Sequence, residues 1–129
     1  MSRLFDASSI FKAVKENLVE ALMGGYTLEI ARYELGNILW KENVLRCNID
    51  DKEVLVFARL VKDILGLMRL LHVDCHEEQI LDTARSLKIT FYDASYVYYS
   101  KQMAIPLVTE DLDLVKKVKN HIKTSSLSS

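Results

Sequence analysis

Four acidic residues stand where an α/β chain presents its chemistry. Asp6 closes the first hydrophobic stretch, and Asp111 follows the stretch IPLVT. Asp93 lies in the first turn of a helix that begins after Lys88 and Ile89. In open α/β sheets, ligands bind beyond the carboxyl ends of the strands, and these three positions fall there. The fourth acid, Glu34, shares a helix face with Ala31, Leu35 and Ile38, and Asn37 faces the same way one turn on. Each acid also has an ordinary structural use. Asp6 and Asp111 can cap helices, Thr90 and Asp93 form a TxxD pattern close to a capping box, and Glu34 can reach solvent from the edge of its face. Capping accounts for each aspartate singly, but it does not account for the set. Four carboxylates gathered without an obligatory basic partner repel, and buried like charges take up protons or bind a cation. An oxygen-only site is the kind that hard Mg²⁺ or Mn²⁺ prefers.

Other constellations are weaker. In His72-Val73-Asp74-Cys75-His76, strand alternation would put His72, Asp74 and His76 on one side. The further ligands of a zinc site are missing at their usual spacing, so the run reads better as a strand end and a helix cap. Cys47 and Cys75 lie far apart without CxxC spacing and are expected to be reduced thiols. His121 is isolated, and Trp40 and the tyrosines suit a core or an interface. Glu110 and Asp113, beside Asp111, read as solvated surface.

Alternation of strands and helices must position the four acids. Residues 3–7 (RLFDA) start as a strand, and Ser8 or Ser9 caps a helix through Ile10, Val14, Leu18 and Leu22 that Gly24-Gly25 breaks. Residues 26–28 form a strand, and residues 29–45 a helix. Residues 48–50 make a turn and cap before a second long helix carrying Val54, Phe57, Val61, Ile64, Leu65 and Met68 at helical spacing. The two long helices form a hairpin. Strands at 70–73, 105–109 and 121–124 and helices at 77–87, 90–103 and 112–118 complete the pattern. The expected fold is an α/β three-layer sandwich with a mostly parallel central sheet.

Composition sets the frame. Of the 129 residues, 50% are hydrophobic and 27% charged, a globular balance that suits one domain over residues 1–124 with a frayed Ser-rich tail at 125–129. The net charge of −1 lacks the overall basic footprint of many nucleic-acid binders, though local patches matter more than the total. Apolar runs stop well short of a membrane span, and the acidic N-terminus does not read as a signal peptide, so a cytoplasmic protein is expected.

The ordered motifs resemble those of PIN domains, and of VapC-type toxin ribonucleases among them. LFDAS is similar to the first acidic motif, a hydrophobic strand ending in Asp-x-Ser/Thr, and YELGN to the second, a helical Glu with Asn three residues on. TFYDASYVYYSKQMAIPLVTEDLDL is similar to the third and fourth run together. Order, spacing and local structure agree across nearly the whole chain. Tyr92, Tyr96, Tyr98 and Tyr99 are bulkier than the family's usual residues there. The resemblance implies Asp6, Glu34, Asp93 and Asp111 as catalytic, metal-binding acids. It implies Ser8 and Thr109 as hydrogen-bonding supports and Asn37 as a less constant neighbour.

If it holds, the activity is Mg²⁺- or Mn²⁺-dependent endoribonucleolytic cleavage of RNA, in the toxin of a toxin–antitoxin pair. The alternatives are a PIN-like nuclease of RNA processing, or an inactive interaction module. A phospho-receiver domain would want adjacent acids after the first strand and a Lys after a late one, and neither occurs. The broad apolar face of the second long helix, with Ile38, Leu39, Trp40 and Val44, exceeds what one hairpin packed on a small sheet is expected to cover. Together with the resemblance, it implies a homodimer and an antitoxin protein as partner.

Overall fold

The computed structural model describes residues 2–128. Five short strands build one sheet: β1 (Leu4–Phe5), β2 (Tyr26–Leu28), β3 (Arg69–Leu71), β4 (Leu107–Val108) and β5 (Thr124–Ser125), in the order β3-β2-β1-β4-β5. All four pairings are parallel, so the sheet is wholly rather than mostly parallel. Parallel neighbours need crossovers, and helices supply them. They are α1 (Ala7–Lys15), α2 (Ile30–Trp40), α3 (Asp51–Leu67), α4 (Glu77–Leu87), α5 (Phe91–Met103) and α6 (Leu112–Val118).

Strand alternation sorts the core into two layers. Phe5 and Val108 point into the cluster made with α1, α2 and α3, while Leu4 and Leu107 point the other way, against α5 and α6. A third cluster of Ile80, Ala84, Ala94 and Tyr98 joins α4 to α5. This is the expected three-layer sandwich. The connections from β1 run outward through β2 to β3, and those from β4 run the opposite way to β5. The strand order therefore reverses between β1 and β4, and such a switch point opens a crevice at the carboxyl ends.

Several boundaries differ from the sequence reading. The first helix stops at Lys15, although apolar residues continue at helical spacing to Leu22. Asn17 takes a left-handed φ of 57°. The Leu18 amide then bonds to the Ala13 carbonyl at 2.7 Å, and that of Asn17 to Val14. This is a Schellman cap, and it closes the helix. Val19–Leu22 follows as a separate 3₁₀ turn. Gly24, at φ 74°, then turns the chain, and Gly25 lies so close to Phe5 that a Cβ would meet that ring at 2.6 Å. Beyond α2 the backbone widens into a π-helical segment, Lys41–Leu45. Asp50 caps α3 in a full capping box with Glu53, as the turn before it suggested. The strand expected at 70–73 is Arg69–Leu71, so His72, Asp74 and His76 lie beyond it and strand alternation does not align them.

The apolar face expected on α3 is largely core. Val61, Ile64, Leu65 and Met68 are buried, and Val54, Phe57 and Leu60 pack partly against them. The apolar residues left exposed are others: Leu55, Val56 and Leu67 on α3, and Trp40, Val44 and Leu45 at the end of α2 and just after it.

The tail also departs from expectation. The last strand lies at Thr124–Ser125 rather than 121–124, and Ser125 accepts a hydrogen bond from the Thr109 amide at 3.0 Å. Leu127 is buried in the α1–α3 layer, and its amide donates to Glu110 Oε2 at 2.8 Å. The Ser-rich end is therefore docked through Leu127; Ser129 lies outside the described residues. Leu127→Ala is expected to lower stability by about 2–4 kcal/mol, the cost of an emptied leucine site, read as a shift in urea midpoint. A change below about 0.5 kcal/mol would mean that the tail is loose in solution.

Candidate active site

The carboxyl ends of β1 and β4 lie side by side at the switch point, and the loops leaving them carry Asp6 and Asp111. Helix α2 supplies Glu34 and α5 supplies Asp93. The structure brings all four acids to one open cavity of about 230 Å³, with Ser8, Asn37 and Tyr96 also in its wall. Larger cavities of about 430 and 440 Å³ lie beside the C-terminal half of α5, around Lys101 and His121. They hold no comparable set of acids, so size alone does not mark the chemistry.

Capping and clustering turn out to be compatible. Asp6 caps α1, with Oδ1 accepting from the Ser9 amide at 2.9 Å and from Ser8 Oγ at 2.7 Å. Asp111 caps α6 through Oδ1, which accepts from the amides of Asp113 and Leu114 at 3.1 and 3.2 Å. Thr90 Oγ1 accepts from the Asp93 amide at 3.1 Å and starts α5. The caps fix the backbone of each aspartate, and α2 and α5 bring the remaining acids over the crevice.

Ser8 and Thr109 join the two strand ends. Ser8 Oγ donates to Asp6, accepts from the Glu110 amide at 3.0 Å, and lies 3.4 Å from Thr109 Oγ1. Thr109 Oγ1 in turn accepts from the Asp111 amide at 3.1 Å. Asn37 lines the cavity from an exposed position one turn beyond Glu34. Glu110, read as solvated surface, is instead structural. Its Oε1 pairs with Lys12 Nζ at 3.0 Å, and its Oε2 receives the Leu127 amide. Asp113 is exposed and does not line the cavity.

One residue of this site went unread in the sequence. The Tyr96 hydroxyl donates to Glu34 Oε1 at 2.8 Å, and the tyrosine is almost wholly buried. Its bulk marked it only as a packing departure. The available signal was its position three residues after Asp93, which places both on one helix face. Burial, and then the negative charge of Glu34, push the Tyr96 hydroxyl far above its ordinary pKa, so it stays protonated and donates.

The electrostatics are those of crowded like charges. Burial raises the Asp6 carboxyl above its usual value, outweighing the hydrogen bonds from Thr109, Ser8 and Ser9 that pull it down. Glu34 is raised by burial and by the charges of Asp6 and Asp93, with the Tyr96 hydrogen bond opposing. Asp93 is raised by burial, then by Asp111 and Asp6, against the Thr90 hydrogen bond and the more distant charge of Lys117. Among the described residues no ion pair reaches these four acids.

The donor chemistry fits a hard divalent cation, since its ligands would all be oxygens and charge is in excess. Among the described residues no three His, Cys, Asp or Glu side chains form a ready metal-holding group. At residues 72–76, His76 Nδ1 lies 2.8 Å from the Tyr98 hydroxyl. Cys47 and Cys75 are exposed free thiols.

A carboxyl whose pKa is higher in the folded than the unfolded state binds more protons when folded. Its destabilising effect is absent at low pH and grows as pH rises through the folded-state value. Asp6→Asn removes that effect while retaining an oxygen for the cap. In EDTA, the variant is expected to be more stable than the parent at neutral pH. The gap should close as pH falls toward 3.8, the ordinary Asp value. Urea midpoints measured across this range provide the test, and equal stability at neutral pH would show that the buried carboxylate is not under strain.

Comparison with known proteins places this geometry in a lineage. No family model matches the chain. Exonuclease VapC9 of Pyrobaculum aerophilum is 33% identical over 100 residues, covering 78% of this chain and 71% of the relative. Ribonuclease VapC3 of the same organism is 30% identical over 95 residues, covering 71% and 70%. Among solved structures, PAE2754 from P. aerophilum superimposes with a TM-score of 0.78 at 28% identity, over 95% of this chain and 89% of that one. VapBC-1 from nontypeable Haemophilus influenzae aligns over 100% of both chains at a TM-score of 0.58 and 11% identity, a likeness of fold alone. With this extent of similarity to two VapC proteins, and with the fold and motif order described above, the chain belongs to the VapC family of PIN-domain proteins.

Proposed function

We propose that this protein is a metal-dependent endoribonuclease that cuts RNA at the acidic cavity, and that it is the toxin of a VapBC-type pair. One observation carries the reading: four carboxylates line one open cavity, three of them are raised in pKa by burial, and Glu34 and Asp93 are raised further by neighbouring acids. Such a site gains from a cation, and the names of the two relatives supply the nuclease class.

Asp6, Glu34, Asp93 and Asp111 would hold Mg²⁺ or Mn²⁺, with Ser8 and Thr109 fixing the two strand-end loops and Asn37 beside them. When bound there, such a cation would lower the pKa of a coordinated water and offset charge on the leaving oxygen. Tyr96 holds Glu34 in one orientation and stays protonated. The α1 and α6 caps keep Asp6 and Asp111 from swinging out of the cavity. No Ser–His or Cys–His pair takes part.

An antitoxin protein is the proposed partner, supported by the relationship to VapC proteins. A homodimer is proposed on a second observation, the exposed apolar residues Leu55, Val56 and Leu67 with Trp40, Val44 and Leu45. A cytoplasmic location accords with these proposals. Among the described residues, no helix is long and apolar enough to cross a membrane.

The purified protein is expected to cut RNA in Mg²⁺ or Mn²⁺ and to stop in EDTA. A circular RNA should also be opened, which separates internal cutting from the exonuclease activity named for one relative. Asp93→Asn, Asp111→Asn and Glu34→Gln should each cost more than the roughly ten- to hundredfold expected when an outer partner such as Tyr96 is changed to Phe. Full activity in EDTA, or parental rates in the acid variants, would reject the mechanism. Light scattering at high micromolar concentration should show a dimer, and a monomer there would remove the homodimer while leaving the nuclease intact.

A further inference from the structure

Beside the acidic cavity, on the same carboxyl edge of the sheet, lies a second pocket of about 330 Å³. It sits where β2 and β3 end, against Leu28, Leu71 and Val73, with Ile30 and Tyr33 of α2 on one side. Leu28 is wholly buried and Leu71 half-buried, so the pocket has an apolar floor. Tyr33 is 71% exposed, which leaves an aromatic surface unused by the fold. Glu29, whose carboxylate pairs with Arg32 at 2.9 Å, and His72 and Asp74 complete the lining.

The pocket and the cavity share one wall. Ile30, Tyr33, Glu34 and Asn37 follow the i, i+3, i+4, i+7 pattern and form one stripe along α2. The first two line the pocket, and the last two line the cavity. Tyr33 and Glu34 are consecutive on α2, so an aromatic ring in the pocket and a carboxylate in the cavity leave neighbouring positions of one helix. The pocket has room for a base and part of its ribose.

We infer that this pocket is a nucleobase subsite, in which an unpaired base stacks on Tyr33 while the adjoining phosphate reaches the acids. The inference rests on the nuclease reading and adds to it the place where the base beside the cut is held. A base held in a duplex has both faces stacked and cannot enter. Stacking on an aromatic ring tolerates any base, because each has a π face.

The test uses the full chain carrying Asp6→Asn, in Mg²⁺, with a single-stranded RNA containing one 2-aminopurine, a base whose fluorescence is quenched by stacking. A scan of the probe base along the strand should find one position that is quenched on binding. Tyr33→Phe should keep the quenching. Tyr33→Ala should abolish it and weaken binding on the order of tenfold. In the Asp6-containing protein, Tyr33→Ala should raise KM with little change in kcat. Unchanged quenching and affinity in Tyr33→Ala, with cleavage still present, would overturn the subsite and leave the nuclease standing. Tyr33-dependent quenching in a protein that cuts no RNA would uphold the subsite and sink the nuclease reading.

Discussion

Everything at the functional edge depends on holding like charges together. Asp6 is buried beside Glu34, Asp93 and Asp111, and each separation resists a repulsion that water would otherwise screen. The chain meets that cost with hydrogen bonds rather than with a basic residue. Ser8 ties Asp6 to the loop after β4, and Thr109 ties that loop to Asp111. Tyr96 restrains Glu34 from the opposite layer. A lysine or arginine in the same place would lower the electrostatic cost and also fill the position of a cation. The arrangement therefore keeps the charge unmet and puts its rigidity into neutral donors.

The sheet makes this possible because its order reverses between β1 and β4. Strands of two or three residues offer little pairing of their own, and burial of both faces holds them. The loops at their carboxyl ends are consequently short and fixed from below. Glu110 extends the support outward. It links Lys12 of α1 to the backbone at Leu127, so the docked tail braces the loop that carries Asp111. The back of the site and the end of the chain are thus one hydrogen-bonded unit, although no tail residue lines the cavity.

The apolar surface shows how local pattern and tertiary packing divide the work. Helical spacing on α3 correctly marks Val61, Ile64, Leu65 and Met68 as a face, but it does not say what covers them. Helix α2, with α1 and the sheet, covers that face, and the exposed remainder lies round the helix at Leu55, Val56 and Leu67. Periodicity identifies a stripe. Only the placement of neighbouring layers decides which stripe is spare.

The sequence by itself determined the α/β order, nearly every helix, the two-sided core and the four acids, because each has a local signature: 3.6-residue periodicity, a capping side chain or a hydrophobic strand ending in Asp. It did not determine where α1 stops, since Asn17 ends that helix with a left-handed residue while the apolar spacing runs on. Nor did it reveal that Ser-rich residues 125–127 are docked, because the partner that fixes Leu127 is Glu110, distant along the chain. Tyr96 belongs to the same class. Its residue type suggests packing, and its role exists only once α5 crosses α2 and a hydroxyl meets Glu34 at 2.8 Å. Patterns carried within a few turns of chain are legible in a sequence. Contacts between layers depend on how the sheet orders its strands, and that order is a property of the folded whole.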